Sequence, residues 1–107
     1  MPVKEREFRR KLKRELKDIF PGCIILPGDS SETQGFPDLI ILYNNKWAAL
    51  ETKKASNSSK RPNQDYWVDV MNKMSFAAFV CPENKEEILN GLQQTLTTRR
   101  SARLPKC

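Results

Sequence analysis

Asp38-Leu39-Ile40-Ile41-Leu42-Tyr43-Asn44-Asn45-Lys46-Trp47-Ala48-Ala49-Leu50-Glu51-Thr52-Lys53 is the stretch that decides the reading of this chain. Two runs rich in apolar residues flank an Asn-Asn dipeptide. Asparagine tolerates left-handed backbone angles, so the pair suits the two-residue turn of a β-hairpin. With Asn44 and Asn45 in the turn, Tyr43 pairs with Lys46, and the same count places Asp38 directly opposite Glu51. Side chains alternate along a strand, so Lys53 shares the face of Glu51. Two carboxylates and an ammonium thus converge at one end of the hairpin, whose remaining inward positions are expected to be Ile40, Leu42, Trp47 and Ala49.

Like charges directly across a ladder destabilise it, so two opposed acids need a cation. A divalent metal would take an oxygen from each, polarise a phosphodiester and acidify a bound water, while Lys53 orients that water or offsets developing charge. The plainer alternative is that Lys53 satisfies both acids as an edge salt bridge.

Outward from the hairpin, residues 5–20 read as an amphipathic helix, with Phe8, Leu12, Leu16, Ile19 and Phe20 on one face and Pro21-Gly22 as its stop. At about 100° per residue that face centres near Glu5, with Glu7 opposite and Glu15 nearer the face edge. Glu5 is then either a dipole-stabilising acid or a third acid of the metal site. Residues 23–26 form a strand, 28–35 a polar loop, and 55–61 another. Pro62 is expected in the first turn of a helix running to about Met74; a strand follows over 76–81, and Pro82 opens a last helix through Leu96. A single domain is expected over 1–97, with 98–107 a basic tail. The order of helix, three strands, helix, strand, helix predicts an α/β fold, a mixed central sheet flanked by helices on both sides.

Composition narrows the chemistry. The chain has no histidine, which excludes Ser-His-Asp triads, His-based zinc motifs and His general bases. Hydrolysis here must run on carboxylates, lysine and water, with a hard, oxygen-loving cation such as magnesium, for which manganese can substitute. Three widely spaced cysteines, Cys23, Cys81 and Cys107, read as two buried thiols and one on the tail. A net charge of +6 favours a polyanionic partner. No stretch of about 18 apolar residues is present and the N-terminus lacks a signal-peptide core, so no membrane association and a cytoplasmic location are expected.

Gly35-Phe36-Pro37-Asp38-Leu39, then Glu51-Thr52-Lys53, then Asn63-Gln64 with an aromatic following, together resemble the VRR-NUC branch of the PD-(D/E)xK nucleases, most closely the small stand-alone versions carried by phages and prophages. The likeness runs from about Glu5 to Leu96. It implies a restriction-endonuclease-like αβββαβ(α) core with the site at the split of its mixed sheet. Asp38, Glu51 and the Thr52 carbonyl would be metal ligands, Lys53 the catalytic lysine, Glu5 a further acid of the metal site, and Gln64 a glutamine facing the site from the second helix. It also implies similarity to dimeric resolvases of four-way DNA junctions. One departure is Met74-Ser75, where many relatives have a glycine before the final strand.

The expectation is therefore a homodimeric, magnesium-dependent endonuclease for branched DNA; the alternatives are a nuclease for flaps, nicks or ends, and a non-catalytic DNA-binding module. Lys54, Lys60 and Arg61 are candidates for phosphate contact or plain solvated surface. Trp47, Tyr66 and Trp67 are read as core or interface aromatics rather than base-stacking platforms.

Overall fold

A computed structural model describes residues 2–97 of the chain. In chain order the elements are α1 (Pro2–Ile19), β1 (Ile24–Pro27), β2 (Leu39–Tyr43), β3 (Lys46–Thr52), α2 (Gln64–Met74), β4 (Phe76–Val80) and α3 (Lys85–Thr97). The strands form one mixed sheet in the order β1-β2-β3-β4, antiparallel except for the β3–β4 pair. This is the expected α/β class and element order. The 98–107 tail lies outside the described residues.

The hairpin register agrees with the count from the turn: Tyr43 opposes Lys46, Leu42 opposes Trp47, and Leu39 opposes Leu50. Asn44 sits at φ 57, the left-handed angle that the turn demands and that asparagine accepts. Its inward face differs from expectation. Leu39, Ile41, Ala48 and Leu50 are buried in the main core with Leu12 and Leu16 of α1, Phe20 just after it, and Leu89, Leu92 and Leu96 of α3. Ile40, Leu42, Trp47 and Ala49 lie on the opposite face, and of these only Ala49 is fully buried. The reason is coverage: on that face α2 packs on β3 and β4 and leaves β1 and β2 open. Ile24, Leu26 and Leu42 are accordingly 55%, 44% and 36% exposed, an apolar strip on a small domain.

Helix starts also shift. Pro62 does not open α2; it stands in a turn closed by the Gln64 N–H on the Arg61 carbonyl (3.2 Å), and Asn63, at φ 71, leads into the helix. Pro82 likewise stands in a turn, across which the Asn84 side chain accepts the Cys81 N–H (2.8 Å) before α3 begins at Lys85. α1 begins at Pro2 rather than at residue 5. The Met74-Ser75 departure is absorbed locally, with the Ser75 hydroxyl donating to the Trp47 carbonyl. Cys81 is a buried free thiol; Cys23 is half-buried, and Cys107 lies outside the described residues. No described helix is long and apolar enough to cross a membrane.

Candidate active site

The β2–β3 ladder ends at Leu39 and Leu50, and beyond it side chains take over the backbone groups. Asp38 Oδ1 accepts the Thr52 N–H (3.1 Å), and the Asp38 N–H lies on the side of the Glu51 carboxylate, where it favours the charged form. The β3 end thus gives a backbone donor to the carboxylate of Asp38, which is fixed where the strands part with Glu51 beside it. The Thr52 hydroxyl donates to Asp38 Oδ2 (2.6 Å). From the other side, the Gly28 N–H holds the Asp38 carbonyl (3.0 Å). Only glycine fits at 28, since a Cβ there would lie 1.6 Å from the Pro37 carbonyl oxygen.

Glu51 points toward α2. It is 6% exposed, and the Gln64 amide donates to it (Nε2 to Oε2, 2.9 Å). Gln64 is itself 5% exposed; its Oε1 accepts from Lys53 Nζ (2.9 Å) and from the Arg61 N–H (2.8 Å). Two donors on one end and a carboxylate on the other leave only one orientation for that amide. Lys53 Nζ also donates to the Ser59 carbonyl (3.1 Å), so two of its three N–H bonds are engaged. Among the described residues no ion pair joins Lys53 to Asp38 or Glu51, so the edge salt bridge is not what forms; Gln64 stands between lysine and acid. Two contacts bring the start of α2 against the loop before Asp38, one of them dependent on a glycine. Gly35, at φ +85, lies where a Cβ would meet the Pro62 carbonyl oxygen at 2.6 Å, and Phe36 packs edge-on against Trp67 (centroids 5.7 Å).

Burial raises the Glu51 carboxyl from its ordinary 4.5 to about 7. The Asp38 charge adds to the rise, as does that of Glu5, while Lys53 and the Asp38 N–H oppose it. Such a group stands ready for a cation. The donors at hand are carboxylate oxygens of Asp38 and Glu51 and the Thr52 carbonyl. Continuing the hairpin register past its last bonded pair sets Thr52 against Pro37, which has no N–H to offer that carbonyl. An all-oxygen donor set suits magnesium or manganese, with water completing the shell. Glu5 stands near enough to this pair of acids for its charge to act on Glu51, and the described residues hold no metal-binding group of three or more His, Cys, Asp or Glu. Glu5 lies half-buried one turn from Arg9, at 3.8 Å. Glu7 is exposed, and Glu15 reaches α3, pairing with Lys85 at 3.0 Å.

Arg9 is the participant that sequence reasoning missed. Its Nη1 donates to Asp38 Oδ2 (2.8 Å) and reaches Thr52 Oγ1 (3.2 Å). The signal was available: Arg9 follows Glu5 by one helical turn and so shares its face. In a helix with this many basic residues, nothing else distinguished it.

The loop candidates divide. Lys54 and Arg61 are exposed beside the site. Lys60 is engaged, 3.3 Å from Asp65 and 4.5 Å above the Phe79 ring. Tyr66 and Trp67 pack against each other (5.3 Å) at a groove also lined by Thr33, Gln34 and Asn63.

Comparison with family models, with curated proteins and with solved structures finds no match to this chain.

Proposed function

We propose that this protein is a magnesium-dependent deoxyribonuclease of the PD-(D/E)xK type, for which manganese substitutes, acting on branched DNA such as four-way junctions. The observation that carries this reading is the pair of acids side by side at the ladder end, Asp38 held by the Thr52 N–H and Lys53 tied to Glu51 through Gln64. A module that only binds DNA has no use for two carboxylates beside phosphates. The αβββαβα order supports a restriction-endonuclease-like core, and the basic residues of α1, Lys54 and Arg61 supply positive surface near the site.

Asp38, Glu51 and the Thr52 carbonyl would hold the metal, which when bound polarises the scissile phosphodiester and lowers the pKa of its water. Lys53 keeps one N–H uncommitted, which would serve to orient that water or to offset the charge growing on phosphate. Gln64 positions both Lys53 and Glu51, so its amide sets their separation. Two cuts of like polarity across a junction call for two sites related by a two-fold axis, and the open strip of Ile24, Leu26 and Leu42 offers an apolar face for a second copy. The protein would work in the cytoplasm.

The test is a magnesium-dependent cleavage assay over duplex, nicked, flap, free-end and four-way junction DNA, with Asp38→Ala, Glu51→Ala and Lys53→Ala as controls. Preferred junction cleavage that all three variants abolish while remaining folded is the expected result. Cleavage of flaps alone would change the substrate, and binding without cleavage would leave only a DNA-binding module. Near wild-type rates for any two variants would overturn the site.

A further inference from the structure

We infer that Arg9 is a built-in counter-cation that occupies Asp38 in the metal-free protein and must leave it when the metal binds, so that Arg9 sets the affinity of the site for its metal. This rests on the reading of Asp38 as a metal ligand.

Asp38 offers two oxygens, and both are in use. Oδ1 takes the Thr52 N–H, a bond between the two strand ends that the fold itself imposes. Oδ2 takes the Thr52 hydroxyl and the Arg9 guanidinium at once. Of these donors only Arg9 carries charge, and only Arg9 sits on a long, flexible stem that can swing away without breaking the sheet. The Thr52 hydroxyl is fixed by a fully buried residue. A cation that takes Asp38 Oδ2 therefore competes with one displaceable charged group, the guanidinium at 2.8 Å.

Charge balance explains its presence. Glu5, Asp38 and Glu51 bring three acids to this end of the sheet, and Lys53 is bonded to Gln64 and Ser59 rather than to any of them. Arg9 is the cation in direct contact with Asp38 and lies 3.8 Å from Glu5. It bridges the two acids on the α1 side, as Gln64 bridges Lys53 and Glu51 on the α2 side. On release, the guanidinium retains Glu5, one helical turn away, as a second resting partner.

An arginine in contact with a carboxylate weakens that carboxylate's hold on a second cation by about tenfold or more. The experiment measures Mn2+ affinity without DNA, from the paramagnetic signal of free Mn2+, for wild type, Arg9→Gln, Arg9→Lys and Asp38→Asn. Melting curves in EDTA verify that each variant folds. The expected result is Mn2+ binding about tenfold tighter or more in Arg9→Gln and within about threefold of wild type in Arg9→Lys, with binding lost in Asp38→Asn. The stabilisation of the fold by saturating Mn2+ should grow in parallel in Arg9→Gln, because it rises with affinity. Unchanged or weaker Mn2+ binding in Arg9→Gln, with Asp38→Asn still abolishing it, overturns the role of Arg9 alone. Mn2+ binding that survives Asp38→Asn, or is absent from the wild type, overturns this inference together with the metal site. If Arg9→Gln fails to fold, the comparison passes to Arg9→Met, which keeps the apolar stem, and the same outcomes decide.

Discussion

Replacing Glu51 by glutamine should make the metal-free protein more stable at alkaline pH and leave it nearly unchanged in acid. The native carboxyl releases its proton at about 7, the unfolded one near 4.5. Below the lower value both states are protonated and Glu51 is neutral everywhere. Between the two, the native state holds a proton that the unfolded chain has lost, so stability falls as pH rises. Above about 7 the buried carboxylate is ionised and the whole cost, about 3 kcal/mol, is carried by the fold. Glutamine cannot ionise and escapes that decline, though a neutral amide oxygen is a weaker acceptor for the Gln64 N–H and forfeits about 1 kcal/mol of hydrogen bonding. The net gain at pH 8.5 is then about 2 kcal/mol, or roughly 10 °C in melting temperature for a domain of this size. Urea unfolding in EDTA from pH 4 to pH 8.5, for both proteins, measures it. Saturating Mn2+ should reverse the order at pH 8.5, since only the wild type keeps both carboxylate ligands. A wild-type stability that is flat from pH 4.5 to 8.5, or a variant that is less stable throughout, would refute the claim that burial strains this acid.

Glu5→Gln should slow junction cleavage tenfold or more with little loss of stability, whereas Glu7→Gln should stay within about threefold, under about 0.7 kcal/mol of barrier, in single-turnover assays. The opposite ranking would mean that the facing of α1 has been misread. Sedimentation at micromolar concentration should show a dimer that Leu42→Asp, with Ile24→Glu, converts to monomer; a wild type that is monomeric with and without junction DNA contradicts the apolar strip as its interface. Gly28→Ala should lower stability by about 2 kcal/mol or more in urea and loosen Asp38, because its methyl group runs into the Pro37 carbonyl; a loss under about 0.5 kcal/mol would show that this contact relaxes freely.

The hairpin was legible because turn chemistry and the two-residue period of a strand are local rules, and together they fix which residues oppose one another. Asp38, Glu51 and Lys53 come together for that reason, whereas Gln64, on α2, was expected only from the family resemblance. The choice of face was not legible, since Leu39 and Ile41 are as apolar as Ile40 and Leu42. What separates them is where α2 packs, a property of the tertiary fold. The helix starts after Pro62 and Pro82 were misplaced for a nearby reason: Asn63 takes a left-handed angle and the Asn84 side chain caps a turn, so the helices begin only at Gln64 and Lys85. Arg9 stayed hidden because a basic residue on a basic helix shows its role only through the acid it meets across the fold.

The Asn44-Asn45 turn has a consequence for how this site can vary. It lies five paired positions from the acids, roughly 17 Å along the strands, and touches none of the reacting groups. Yet it acts as a ruler: the number of residues in it decides which residue of β3 stands against Asp38. Identity there is free within the limits of a left-handed angle, and length is not. One inserted residue would slip the register, turn the Glu51 side chain toward the α1 face and bring Thr52 or Leu50 into its place. Insertions in the polar loops before Asp38 or after Lys53 carry no such penalty. Homologous chains should therefore vary in length at those loops and hold the span from Asp38 to Glu51 constant, so that spacing rather than side-chain identity at the turn marks an intact site.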